Sequence, residues 1–380
     1  MTDPLRPIYM DHNATTPVDP RVLEAMLPFF SEDFGNPESS QHPFGWKAKN
    51  AVEHAREQVA GLIGAGANEI TFTSGATESI YLAHFGFLGA KPAGQHLITS
   101  EAEHKATLEA AVQLKKLGTQ VTFLPVNRYG QVEVSKLRAA LRPETSLVSL
   151  MHANNEVGSL NPIAEIGQVL RAHGSVAFHV DAAQSVGKQA IDVVALNIDM
   201  LSLSSHKFHG PKGVGALFTR RPAVHLQALM PGGGQERGLR GGTLNVPGIV
   251  GLGKACEIAA DEMPNESQRL RGWQNSIISR LVQPGGRIEL NGHPTDRLCN
   301  NIHLSLGGIG SDQLLRGLSQ FAVSTGSACS SGGASHVLRA MGRWSDDPLT
   351  SVVRIGLGRF TRAADIDLLS DRLSGLISGH

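Results

Sequence analysis

From Glu69 to Thr219 this 380-residue chain alternates short apolar runs with amphipathic stretches, and few architectures accommodate that rhythm. The runs fall at residues 70–72, 96–99, 121–124, 147–150, 176–180, 200–203 and 214–218, with helical periodicity between them, as at 105–117 and 162–173. The pattern predicts an α/β fold with a mainly parallel, doubly wound sheet, whose ligands bind outside the carboxyl ends of the strands. Read at those ends, the chain offers Ser74, Gly75, Ala76 and Thr77, then Glu103 and His104, then His152 to Asn155, then Asp181 and Gln184, and finally Ser204, His206 and Lys207. Five strand ends should therefore bring polar groups to one rim. Solvation of loops also puts polar residues there, so residue identity must decide.

Composition narrows the classes. Hydrophobic residues make up 41% and charged residues 18%, with 34 basic and 34 acidic side chains. That balance lacks the broad basic field a nucleic-acid or membrane-surface partner requires. No apolar run approaches a membrane span, and residues 1–7 lack the hydrophobic centre of a signal peptide, so a cytoplasmic location is expected. The length predicts two domains: a large one over residues 16–260, and a smaller α+β one formed by residues 1–15 and 261–380. The polar segment from Asp261 marks the change, and the opening segment is expected on the smaller domain or along the cleft.

Three cysteines, widely spaced, suit neither a disulfide framework nor a zinc site. Cys256 falls in an apolar helical pattern and Cys299 near a strand, both consistent with core packing. Cys329 differs, because Ser324 to Gly333 is a run of small residues with almost nothing to bury. A thiol there is expected to be exposed, as a nucleophile requires.

Lys207 and Asp181 carry the chemical argument. A lysine, an acid and an amide (Gln184) at neighbouring strand ends can hold an aromatic aldehyde cofactor. The lysine would form a Schiff base and the acid would keep a pyridine nitrogen protonated. Either residue alone reads more simply as a surface ion pair or a helix cap; together with Ser204 and His206 they point to a site. The segment Ser74 to Ser79 joins a strand to a helix, where free N–H groups, the helix dipole and the Thr77 hydroxyl favour a phosphate. No Gly-x-Gly-x-x-Gly opens that helix, so a dinucleotide fingerprint is absent, and residues 213–215 read as strand packing.

With these residues in view, the chain resembles the cysteine desulfurases of the NifS/IscS type, fold-type I pyridoxal-phosphate enzymes of the class V aminotransferase group. The resemblance runs from Tyr9 to Pro17 through Phe72–Ser79, Glu103–Lys105, Asn154–Glu156, His179–Ser185, Ser205–Lys207, Gly232–Gly238 and Ser327–Cys329 to Arg354–Arg359. It implies pyridoxal 5'-phosphate bound to Lys207, with His104 over the ring, Asp181 at the ring nitrogen, and Gln184 and Asn155 near the phenolic oxygen. Ala76, Thr77, Ser204 and His206 would cradle the phosphate, and Thr243 would reach the phosphate of a partner subunit, making an obligate homodimer with shared sites. Arg354, with Asn155 beside it, would clamp the carboxylate of L-cysteine.

The implied reaction converts L-cysteine to L-alanine and leaves the sulfur as a persulfide on Cys329, with His104 as a proton carrier. The sulfur would then pass to an iron–sulfur scaffold or another acceptor protein. Whether Cys329 also ligates an iron–sulfur cluster jointly with a scaffold partner stays open. The first alternative is another enzyme of the same fold, a selenocysteine lyase or a small-amino-acid aminotransferase; an aminotransferase would have no use for Cys329, and a non-catalytic scaffold would have no use for Lys207, Asp181, His104, Cys329 and Arg354. The chain departs from the family just after Cys329, where Ser330 to Val337 is shorter than usual and lacks a Leu-Glu-Pro stretch. Loop reach and partner docking are the features this would alter.

Overall fold

The computed structural model describes residues 7–89, 93–325 and 335–378. Among these residues twelve strands are present: β1 (Ile8–Tyr9), β2 (Ile70–Thr73), β3 (His96–Ser100), β4 (Gln120–Leu124), β5 (Thr145–Met151), β6 (Ala177–Asp181), β7 (Met200–Ser204), β8 (Gly215–Thr219), β9 (Ile288–Asn291), β10 (Asn301–Gly307), β11 (Phe321–Ala322) and β12 (Thr350–Gly356). Seven of them form one sheet in the order β2-β8-β7-β6-β5-β3-β4. Every residue of β2, β3, β6, β7 and β8 is buried, which explains why these strands read as continuous apolar runs and not as alternating ones.

Pairing is parallel from β4 through β7, whereas β8 runs antiparallel to both β7 and β2. Only β8 is therefore reversed, and the carboxyl ends of β2, β3, β5, β6 and β7 share one rim. The first residue of β8 meets the rim from the opposite direction. A Cβ on Gly215 would stand 2.5 Å from the Leu203 carbonyl oxygen and 2.7 Å from Gly75 Cα. Glycine there lets β8 and the turn after β2 close onto β7.

Helices cover both faces. One cluster joins the sheet to the helices Pro43–Ile63 and Val246–Leu281 through Val52, Val59, Ile63, Ile249, Leu252 and Cys256. A smaller cluster, including Leu82, Leu97, Leu114 and Met200, fills the other face. A separate core gathers Met10, Leu270, Ile277, Cys299, Ile302, Leu304, Val353, Ile355 and Leu369 around the antiparallel sheet β12-β10-β9. Cys256 and Cys299 are both buried, as core residues should be.

The polar stretch from Asp261 lies inside the 36-residue helix Val246–Leu281, with Pro264 in its interior. The first half of that helix packs on the large sheet's core and the second half on the separate core. The opening segment takes part in two places. β1 pairs in parallel with β11, and Asn13, Ala14 and Thr15 line the cavity on the rim of the large sheet. Among the described residues no helix is long and apolar enough to cross a membrane.

Candidate active site

A cavity of about 540 Å³ opens on that rim, within the roughly 300–1,000 Å³ usual for small-ligand sites. Ala76, Thr77, His104, Asn155, Asp181, Gln184, Ser204, His206, Lys207 and Arg354 all line it. Ten residues chosen from the sequence thus meet in one place. Thr243 does not; it is exposed and lies outside the cavity. Cys329 lies outside the described residues.

At one end, β2 passes through Ser74 and Gly75 into the helix Ala76–Leu88. Gly75 has φ of 150°, a conformation in which glycine alone is comfortable. No side chain caps this helix, so its first-turn N–H groups remain available to an anion. The ordinary Ser/Thr-capped alternative is thereby excluded. Ser204 Oγ lies 3.5 Å from where a Cβ on Gly75 would stand, and His206 shares an Nδ1···Thr15 Oγ1 hydrogen bond of 3.1 Å. Burial first, then Lys207, Lys212 and Lys188, bring the His206 imidazole down to about 4, so it is neutral at pH 7. Gly213, expected within a strand, instead occupies a positive-φ turn that lines the cavity.

The middle of the cavity is built on β6. Asp181 is 6% exposed, and its Oδ1 accepts the Ala183 N–H at 2.9 Å. Burial pushes its carboxyl up, opposed by the Ala183 hydrogen bond and by His104 and Lys207. A carboxylate so placed wants a cationic partner, and a protonated pyridine nitrogen is one. His104 starts the helix Lys105–Lys116, its Nδ1 accepting the Ala106 N–H at 3.2 Å. In the neutral ring the proton is therefore on Nε2. Burial depresses the basicity of this imidazole, Asp181 opposes the change, and Lys207 adds to it.

Lys207 ends a single turn of 3-10 helix, Ser205–Lys207. Its Nζ donates to the carbonyl oxygens of Asn13 and Ala14, each at 2.8 Å. Gln184 Nε2 donates to the same Asn13 carbonyl at 2.9 Å, and Asn13 Nδ2 donates to Gln184 Oε1 at 3.3 Å. Asn13 was not singled out from the sequence. Its signal was the Tyr9–Pro17 motif, read there without a role for each residue.

Arg354, which also lines the cavity, is 1% exposed. It donates to Asp11 Oδ1 at 2.8 Å and to the Asn155 carbonyl at 2.9 Å, and among the described residues its Nε has no partner. The ion pair and the cavity position coexist in one residue. Asp11 orients the guanidinium, and it too went unremarked in the sequence. Glu103 lies beneath, fully buried, with Oε1 accepting from Ser100 Oγ at 2.8 Å and Met151 N–H at 3.1 Å. Burial pushes its carboxyl up to about 8. Among the described residues no group of three or more His, Cys, Asp or Glu is arranged to hold a metal.

A lysine, a buried acid and an uncapped helix start around one cavity are the groups a pyridoxal-phosphate enzyme site requires. The family model described as aminotransferase class-V matches residues 8–369. The cysteine desulfurase IscS of Anaeromyxobacter dehalogenans is 52% identical over 367 residues, covering 95% of this chain and 90% of its own. A solved structure titled as a NifS-like protein superposes with a TM-score of 0.90 at 36% identity, covering 98% of this chain and all of the other. Another, titled SspA in complex with cysteine, gives a TM-score of 0.82 at 40% identity, covering 93% of this chain and all of the other. The chain belongs to the aminotransferase class-V family, in its cysteine desulfurase branch, and its cofactor is pyridoxal 5'-phosphate.

Proposed function

We propose that this cavity releases sulfur from L-cysteine, yielding L-alanine and a persulfide on Cys329. The observation that carries this reading is that Lys207 and Asp181 line one cavity together with the buried Arg354. The residues fit the cofactor. Uncapped N–H groups of the helix Ala76–Leu88, with Thr77, Ser204 and His206, suit its phosphate; Asp181 suits its ring nitrogen, and Gln184 and Asn155 its phenolic oxygen. When bound, the cofactor supplies an electron-withdrawing ring that acidifies the substrate's α-carbon.

The protein groups do the rest. Lys207 presents its amine to the cavity, oriented by two backbone carbonyl oxygens, as the group that forms the covalent bond. Arg354, oriented by Asp11, grips the substrate carboxylate through the planar geometry that suits such pairs. His104 Nε2 carries the exchangeable proton. The Cys329 thiolate attacks the substrate sulfur, so an S–S bond forms as the Cβ–S bond breaks. The electron pair stays on carbon and is protonated as alanine leaves, and no external oxidant is required.

The active form in this reading is a homodimer in the cytoplasm, with Thr243 completing the partner subunit's phosphate site. An exposed Thr243 outside its own cavity supports that role, and Phe34 and Phe44, in tilted ring contact with each other and at least half exposed, suit contact with a second copy. Residues 16–260 and residues 1–15 with 261–380 act as two domains, supported by their separate cores. The persulfide sulfur goes to a scaffold protein for iron–sulfur cluster assembly. The test is the visible absorption of the holoprotein: Lys207→Ala should abolish the Schiff-base band together with alanine production. A variant that keeps both would refute the assignment.

A further inference from the structure

Behind the cavity wall a second ammonium joins two of the residues just described. Lys188 Nζ donates to the carbonyl oxygen of Gln184 at 3.1 Å and to that of Lys207 at 2.8 Å. No carboxylate lies within ion-pair distance of it among the described residues. Its own carbonyl oxygen accepts Ser267 Oγ–H at 3.1 Å from the long helix. Lys188 and Lys207 share a small cavity with His12, His209, Glu266 and Arg359, separate from the larger cavity that Lys207 also lines.

The 3-10 turn that carries Lys207 is three residues long, and such turns have little stability of their own. Its carbonyl groups are held from outside. Thr16 donates to the His206 carbonyl through N–H at 2.9 Å and Oγ1 at 3.0 Å, and Lys188 donates to the Lys207 carbonyl. Bonds from an ammonium are stronger than those between neutral groups. The charge is only weakly compensated. Glu266 and the Cys299 thiol are the facing groups that favour it, while the same ammonium depresses the basicity of His12, His206 and His209. Burial brings Lys188 down to about 8, so it remains mostly charged at pH 7.

We propose that Lys188 is a positioning residue for the cofactor-bearing lysine: it locks the turns that deliver Lys207 and Gln184 into the pocket and places a positive charge on the backbone carbonyl of Lys207. The proposal rests on the assignment of Lys207 as the Schiff-base residue. A nearby cation disfavours protonation of a Schiff base, so removing it raises the pH at which the band changes.

The experiment titrates the visible band of the holoenzyme and follows cofactor release in wild type, Lys188→Met and Lys188→Arg. In Lys188→Met the midpoint should rise by about 0.5–1 pH unit, and release should quicken on the order of tenfold. Lys188→Arg should keep the wild-type midpoint, because it keeps the charge. A purely structural bolt would lower the melting temperature without moving the midpoint. A folded Lys188→Met protein with wild-type midpoint and release rate overturns the proposal; should that variant not fold, Lys188→Gln is judged by the same two readouts. Lys207→Ala separates the two claims, since retention of the band there defeats the underlying assignment and not the role of Lys188.

Discussion

Replacing Glu103 by Gln isolates one buried proton. Glu103 is 0% exposed, and burial raises its carboxyl from 4.5 to about 8. The folded protein therefore keeps a proton that the unfolded chain releases first as pH rises. Stability falls with pH between about 4.5 and about 8 on this account. His12, His84, His152 and His206 act in the opposite sense: lowered from 6.5 to about 4, they add stability as pH climbs through that interval and are neutral in both states above it. Lys188, lowered to about 8, contributes mainly above that pH.

Between pH 6.5 and 8 the slope from Glu103 thus stands apart, at about 1.4 kcal/mol per pH unit, or about 2 kcal/mol across the window. Glutamine keeps the Oε1 acceptor for Ser100 and Met151 and never ionises. Urea unfolding, followed by tryptophan fluorescence at matched protein concentration, should show Glu103→Gln gaining about 2 kcal/mol on wild type from pH 6.5 to 8. A difference constant across the window would mean that Glu103 is ionised in the native state, and the burial argument would be wrong.

Other substitutions test other parts. Asp181→Asn removes the anion while keeping the shape, and kcat should fall about 100-fold or more in steady-state alanine production. Arg354→Lys loses the planar two-point grip, so KM for L-cysteine should rise on the order of tenfold with kcat less affected. Arg56→Met strands Glu236, whose side chain is fully buried and bonded to Arg56 Nη2 at 2.8 Å, and should cost about 3–5 kcal/mol in denaturant unfolding. Gly215→Ala drives a Cβ into the backbone of Leu203 and Gly75, and should lower stability by about 1–3 kcal/mol in the same assay.

The large sheet was legible because strands buried on both faces leave unbroken apolar runs, and all seven expected runs correspond to strands. Direction was not legible, since a reversed strand such as β8 has the same composition as a parallel one. The polar stretch at 261–267 signalled a change of surroundings, yet it lies within one continuous helix, because a helix crossing between two cores needs no break in its hydrogen bonding. Within the site, side chains at strand ends were readable from residue type. Asp11 and Asn13 were not, because their partners Arg354, Gln184 and Lys207 lie 343, 171 and 194 residues away along the chain. The behaviour of Glu103 depends on burial, which a single sequence position does not reveal. Gly213 was placed one turn too deep, in a strand that begins at Gly215.

The most direct test follows the sulfur. Holoenzyme exposed to one equivalent of L-cysteine, alkylated and digested, should yield one added sulfur on the peptide containing Cys329, with alanine formed in equal amount. In Cys329→Ala that adduct and the matching burst of alanine should disappear. Added sulfur on the peptides of Cys256 or Cys299, or an undiminished burst without Cys329, would contradict the account.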